Sequence, residues 1–238
     1  MNLDEGYMFG LGAFETIAVE NGIPILLDKH LDRLNTTLKF LRIDKTVKSD
    51  YVKKEISSND INRGVMKVMV SQSNVISVFR ENPYKEDDYS RGFRLKYSNI
   101  LRNDTSPFTY HKTLNYGECI LEKRNSIIKG YDDSVFVNKK NEICEGSSSN
   151  IFFVKEGKIK TPKCSCGLLP GVIRDYLLKN YDVEESTIVI DEVALYDECF
   201  VTNSVLGIMP VQLLGDTVFI LKNIATQIRK EYILRFGI

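Results

Sequence analysis

The sequence predicts an α+β fold with much antiparallel sheet, and three observations predict it. Short β-branched and aromatic runs alternate with stretches of helical periodicity along the whole chain. The dipeptide Asn21-Gly22 stands between the first two of those runs, where a hairpin needs its turn. The 238 residues are 43% hydrophobic and 27% charged, with 15 Gly and 6 Pro, which sets aside disordered, collagen-like and coiled-coil chains.

The elements follow in order. Phe14 to Val19 reads as a strand, and Ile23 to Leu27 as its return strand. Asp28 is expected to cap a helix reaching about Leu41, with Leu31, Leu34, Leu38 and Leu41 as its apolar stripe. A short helix around Tyr51 to Ile56 precedes paired strands at Val65 to Val70 and Val75 to Phe79. The polar stretch Arg80 to Arg91, with Asn82-Pro83 and a Lys-Glu-Asp-Asp run, reads either as an interdomain linker or as a long hairpin loop. It suggests a first domain over residues 1–87 and a second over 88–238. Beyond it come a strand at Gly92 to Tyr97 and a helix from about Asn115 to Ile128. Strands are expected near Val135, Ile151 and Ile159, a helix from Gly171 to about Asn180, and strands near Ile188 and Phe200. A final amphipathic helix covers Lys222 to Phe236.

Lys+Arg and Asp+Glu are equal at 32 each, so the chain lacks the basic excess of a nucleic-acid binder. No run approaches the ~18 apolar residues of a membrane span. The acidic, polar start, Met1 to Gly6, is unlike a secretory signal, so a cytoplasmic location is expected. The five cysteines, Cys119, Cys144, Cys164, Cys166 and Cys199, read as small, mostly buried apolar residues; neither a disulfide framework nor a metal site is expected.

Several residues could carry chemistry, each with a plainer reading beside it. Pro170-Gly171 leads directly into a helix whose first N–H groups and dipole suit a phosphate, although many turns enter helices this way. Thr202-Asn203-Ser204 ends a strand with hydroxyl groups that could do the same. Arg33 borders the apolar stripe; it either snorkels or, if buried, needs an anion such as a phosphate. Lys112 would be a carbonyl-binding amine if it is buried near other cations, and an ordinary solvated lysine otherwise. Glu145 opens a serine-rich turn small enough for a flat ligand to approach the backbone.

Taken together and in order, these motifs resemble the class IV pyridoxal-phosphate family, which includes branched-chain aminotransferases, D-amino-acid aminotransferases and aminodeoxychorismate lyases. The resemblance rests on Phe9 to Thr16 (FGLGAFET), His30 to Leu34 (HLDRL), Lys112 to Tyr116 (KTLNY), Glu145 to Phe152 (EGSSSNIF), Leu168 to Arg174 (LLPGVIR) and Thr202 to Pro210. It implies a fold-type IV enzyme, with a small N-terminal α/β domain, a larger C-terminal pseudo-barrel and pyridoxal 5'-phosphate between them, usually as a homodimer. Lys112 then resembles the catalytic lysine that carries the cofactor, and Glu145 the acid facing the pyridine nitrogen. Arg33 resembles the phosphate-binding arginine, joined by the backbone N–H groups of Val172 and Ile173 and the hydroxyl of Ser204. Leu169 resembles the leucine packed on the ring, and Tyr116 the contact to its phenolic oxygen. Asn150 matches a signature position of structural role, and Phe14 a position on the substrate side.

Within the family, Arg102 to Tyr116 is most similar to the approach to the lysine in aminodeoxychorismate lyases. Ser73 to Asn82 lacks the Arg-x-His element of the D-amino-acid enzymes, and the chain is short for a branched-chain aminotransferase. The resemblance therefore implies conversion of 4-amino-4-deoxychorismate to 4-aminobenzoate and pyruvate, in folate biosynthesis. The alternatives are an aminotransferase acting on D-amino or branched-chain amino acids, and a member that has lost catalysis and only binds. The sequence departs from the family at Gly10-Leu11-Gly12, where Leu11 replaces an acid. It also begins just before that loop, so a smaller first sheet or an exposed sheet edge is expected.

Overall fold

The apolar run after Leu11 forms strand β1 (Gly12–Glu20), flanked by β2 (Ile23–Pro24) and β3 (Gly64–Ser71), and β4 (Val75–Arg80) completes an antiparallel sheet of order β2-β1-β3-β4. This is a computed structural model; it describes residues 2–238. The sheet belongs to the first of two compact units, which holds the residues up to Pro83, His111–Gly117 and Ile233–Ile238. The second unit holds Tyr84–Tyr110 and Glu118–Tyr232.

In the first unit, β1 alternates between two faces. Ala13, Ile17 and Val19 pack with Met66, Val68 and Val70 of β3 against Leu27, Leu31, Leu34 and Leu38 of a helix that we label α2 (Leu27–Phe40), a shorter α1 (Glu5–Phe9) preceding it. Helix α3 (Ser49–Ser58) adds Val52 and Ile56 to that core. Asp4 caps α1, accepting from the Gly6 N–H at 3.0 Å, and its other oxygen accepts from the Ser71 hydroxyl at 2.6 Å and the Ser73 N–H at 2.8 Å. One carboxylate thus ties α1 to the β3–β4 turn.

Two local expectations are corrected here. The return strand stops at Pro24 instead of Leu27, because Leu26 takes a left-handed backbone (φ 52°) that turns the chain into α2. That same Leu26 is the N-cap, with no side-chain cap; Asp28 lies inside the first turn, where its charge meets the positive end of the helix dipole.

The second unit is built on a nine-stranded mixed sheet that curls as a half-barrel. Its strands are β5 (Phe93–Leu101), β6 (Asp133–Val137), β7 (Ile143–Gly146), β8 (Asn150–Lys155), β9 (Lys158–Pro162), β10 (Val183–Ser186), β11 (Glu198–Asn203), β12 (Gly207–Leu214) and β13 (Thr217–Val218). The order is β10-β9-β8-β11-β12-β5-β6-β7, with β13 paired to β12. Inward side chains of β5, β6, β8, β11 and β12 make its core, and Phe152 stacks on its cross-strand partner Phe200 with centroids 4.9 Å apart. The helices of the remaining segments are α4 (Glu86–Arg91), α5 (Gly117–Ile128), α6 (Val172–Asn180) and α7 (Asn223–Phe236).

The polar stretch after Arg80 is not all loop. Its acidic run is the first turn of α4, whose Asp88 carboxylate accepts from the Lys85 N–H at 2.9 Å. The strand near Ile188 is Val183–Ser186, ending two residues before it. Ile188 itself is fully buried, its carbonyl accepts from the Ile143 N–H at 2.7 Å, and the next residue, Val189, forms an isolated bridge with Glu142.

Candidate active site

In the first unit the site begins with a glycine. A Cβ on Gly12 would lie 2.5 Å from Leu114 Cδ1 and 2.6 Å from the Val70 carbonyl, so only glycine lets the 112–115 segment lie on the start of β1. That segment is then held as a strand would be: the Phe14 N–H donates to the Lys112 carbonyl at 3.0 Å, and the Leu114 N–H to the Gly12 carbonyl at 2.7 Å. His111 stacks on Phe40 at the end of α2, with centroids 3.9 Å apart. The result fixes Lys112. Its Nζ lies 4.5 Å from the Phe14 ring centroid and 5.1 Å from that of Tyr116, while the two rings meet edge to face at 5.2 Å.

On the other face of β1, Glu15 is a charge inside an apolar strand. Its two oxygens accept from Arg33 Nε at 2.6 Å and Nη2 at 2.8 Å, and Oε2 also meets His30 Nδ1 at 2.6 Å. Burial pushes the Glu15 carboxyl up, but Arg33 and His30 outweigh it and hold it far below the usual carboxylate range. Burial pushes His30 down against the pull of Glu15, and Arg33 and Lys112 lower it further. His30 Nδ1 faces the Glu15 carboxylate, which can only accept, so the proton of that contact lies on Nδ1. The anion that the burial of Arg33 calls for is this carboxylate. Phe14, Arg33, Lys112 and Tyr116 are brought together around β1; Glu15 and His30 were missed in the sequence, although an acid in an apolar strand and a His-Arg pair three residues apart on one helix face were the available signals.

In the second unit, Glu145 sits on β7. Its Oε1 accepts from Arg102 Nη2 at 2.5 Å and its Oε2 from the Leu169 N–H at 3.0 Å. Burial pulls the Arg102 guanidinium down, and Glu145 more than restores it, leaving it above its ordinary value. Asn150 holds the same loop from the other side: its Nδ2 donates to the Leu169 carbonyl at 2.9 Å, and a Cβ on Gly171 would fall 1.9 Å from its Oδ1. Gly171 therefore caps α6 without a side chain, and the first helical N–H groups, those of buried Val172 and Ile173, lack intrahelical partners. Thr202 is the cross-strand partner of Asn150, and its buried hydroxyl has no hydrogen-bond partner among the described residues. Ser204 follows in a turn shaped by Asn203, whose Oδ1 accepts from Val205 N–H at 2.8 Å and whose Nδ2 donates to the Ser148 carbonyl at 3.0 Å. Glu145, Leu169, Val172 and Ile173 are thus brought to one loop-and-helix entrance, with Ser204 on the turn that follows Thr202. All five cysteines are free, and four of them are buried.

The model of one family, amino-transferase class IV, matches residues 12–214. The chain belongs to that family. It is 28% identical over 233 residues to the aminodeoxychorismate lyase of Bacillus subtilis (strain 168), covering 87% of this chain and 78% of that one. It is also 28% identical over 215 residues to a Thermotoga maritima protein with the provisional name branched-chain-amino-acid aminotransferase, covering 87% and 78%. Among solved structures, a Legionella pneumophila protein provisionally named 4-amino-4-deoxychorismate lyase superposes with a TM-score of 0.88 at 25% identity, covering 99% of this chain and 94% of that one.

This class IV protein is an enzyme, a lyase or an aminotransferase, and its cofactor is pyridoxal 5'-phosphate. The residues present fit that group. A helix entrance with uncapped N–H groups beside an orphaned buried hydroxyl suits a phosphate, and a lysine ammonium held over two aromatic rings suits the amine that carries the aldehyde carbon. Among the described residues no helix is long and apolar enough to cross a membrane.

Proposed function

We propose that this enzyme converts 4-amino-4-deoxychorismate into 4-aminobenzoate and pyruvate, serving folate synthesis in the cytoplasm as a homodimer. The observation that carries the reading is the likeness to the Bacillus subtilis lyase over 233 residues, joined by the structural match at 0.88. The Arg102 side chain is committed to Glu145 and Cys119, so it positions that acid instead of meeting a substrate carboxylate.

In this reading each residue has one task. Arg33, Val172, Ile173 and Ser204 hold the phosphate and do no bond-breaking; they keep the reacting carbon in register. Leu169 packs against the ring and Tyr116 meets its phenolic oxygen. Glu145, kept as one half of an ion pair with Arg102, accepts the hydrogen bond of the ring nitrogen. Pyridoxal phosphate, when bound, supplies the electron-accepting ring that stabilises the charge left on a carbon losing its proton. Lys112 is the catalytic base: its amine takes the proton from the amine-bearing carbon of the substrate. The neighbouring carbon–oxygen bond breaks, and Lys112 gives a proton to the departing enolpyruvyl group. Phe14 lines the substrate side of that amine. Every atom of the substrate is found in the two products, so neither water nor a keto acid is consumed, and formation of the aromatic ring drives the step.

The test is a product balance. The holoenzyme should release 4-aminobenzoate and pyruvate in equal amounts from 4-amino-4-deoxychorismate; 4-aminobenzoate without pyruvate, or neither, contradicts the reading. Likeness to the Thermotoga maritima protein favours a second reading, an aminotransferase with the same cofactor residues.

A further inference from the structure

The face of the first sheet that carries Phe14 also carries a pair of cations with no acid to meet them. Lys67 of β3 lies opposite Thr16 of β1 and Val78 of β4. Arg80 is two residues beyond Val78, hence the diagonal neighbour of Lys67 on the same face. Lys67 Nζ sits 4.4 Å from the Phe14 ring centroid, and its side chain is half-buried. Arg80 donates only to the carbonyl of Glu81, at 3.2 Å. Among the described residues neither cation forms an ion pair, whereas Arg33, Lys96, Arg102 and Arg174, which are at least as buried, each have a carboxylate. Burial and the neighbouring Arg80 together push the Lys67 ammonium below its ordinary value, so the arrangement disfavours its own charge when empty.

Lys112 Nζ lies over the same Phe14 ring, so the two ammonium nitrogens are no more than about 9 Å apart. That distance suits a molecule the size of one six-membered ring, its amine at Lys112 and its acid group at Lys67.

We propose that Lys67 and Arg80 form a carboxylate-binding subsite, which holds an acid group that the substrate carries away from its reacting amine. The proposal rests on the reading of the enzyme as a lyase, whose substrate is a ring acid with its amine and a carboxylate at opposite ends. It makes the pair a determinant of specificity: an aliphatic side chain placed there would leave the half-buried Lys67 desolvated and unpaired beside the exposed Arg80.

The test uses the holoenzyme and the variants Lys67→Met, Lys67→Arg and Arg80→Gln. Each neutral variant should raise KM for 4-amino-4-deoxychorismate about tenfold or more, the loss of one charge-assisted hydrogen bond. Their kcat and the absorbance of the bound cofactor should stay near wild type, and Lys67→Arg should recover most of the affinity. Inhibition by 4-aminobenzoate should weaken in parallel, while inhibition by the uncharged 4-aminobenzamide should not change. Unchanged KM and unchanged 4-aminobenzoate inhibition in both neutral variants overturn the subsite while leaving the lyase intact. If wild type releases no 4-aminobenzoate, the lyase reading has failed, and spectral titrations with glutamate and leucine decide the subsite. Preference for glutamate that is lost in the variants upholds it, and identical titrations in wild type and variants overturn it.

Discussion

Each compact unit buries one arginine–glutamate pair, and the two pairs are arranged in opposite senses. In the first unit the acid is the hidden partner: the Glu15 side chain is 0% exposed and Arg33 14%. Glu15 is also shared with His30, so all of its bonding serves to hold two α2 side chains. In the second unit Glu145 and Arg102 are 7% and 11% exposed, and the acid has a further bond to the loop that precedes α6. An acid thus holds an arginine in one unit, and an arginine holds an acid in the other. A buried pair of this kind contributes little net stability, but breaking it is costly because one charge is left unpaired.

Substitutions separate the roles of the two pairs. The largest effect is expected at Lys112, which stands outside both pairs: Lys112→Ala should lower turnover by about 10⁴-fold or more and abolish the visible absorbance of the lysine-bound cofactor. Survival of that band would show that another amine carries the cofactor. Next come the holders. Glu15→Gln and Arg102→Met should each cost about 3–5 kcal/mol in denaturant unfolding, because each strands a buried charge. The double variant Arg102→Met/Glu145→Gln should regain part of that loss, and a double variant less stable than Arg102→Met alone would deny the coupling. Glu145→Gln strands Arg102 and should lose stability as well, but in the folded holoenzyme it should also slow kcat by about 10²-fold, a loss of chemistry that undiminished turnover would contradict.

The pH dependence separates the units as well. The Glu15 carboxyl is held below its usual range, so its stabilisation is complete above that range and is lost as the pH falls through it toward the lowered value. Acid unfolding of the wild type should therefore be steeper than that of Glu15→Gln, and equal slopes would remove Glu15 from the account. The smallest effect is expected at Gly12→Ala, about 1–3 kcal/mol, from the clash with Leu114 and the Val70 carbonyl.

What the sequence made legible follows from the range of the signal. The β1–β2 turn, the leucine stripe of α2, the β3–β4 pair and the entrance to α6 are written in neighbouring residues, and each formed where its periodicity or turn chemistry placed it. The family was legible through the order of its motifs along the chain. Partnerships across the chain were not. Arg102 and Glu145 are 43 residues apart, and nothing local distinguishes an arginine that meets an acid from one that meets a substrate. Nor does any local pattern show that Lys67, on a strand of ordinary alternation, faces Phe14 beside Arg80 with no acid near. The limit of β2 was misread for a related reason: apolar content reports burial, and burial does not require a ladder of backbone hydrogen bonds.

The most direct measurement counts turnovers in the absence of a keto acid. Holoenzyme is mixed with a large excess of 4-amino-4-deoxychorismate, and 4-aminobenzoate fluorescence is followed to completion. The account predicts many product molecules per active site, with pyruvate matching them. Product that is absent, or that stops at one equivalent per active site until 2-oxoglutarate is added, would contradict it.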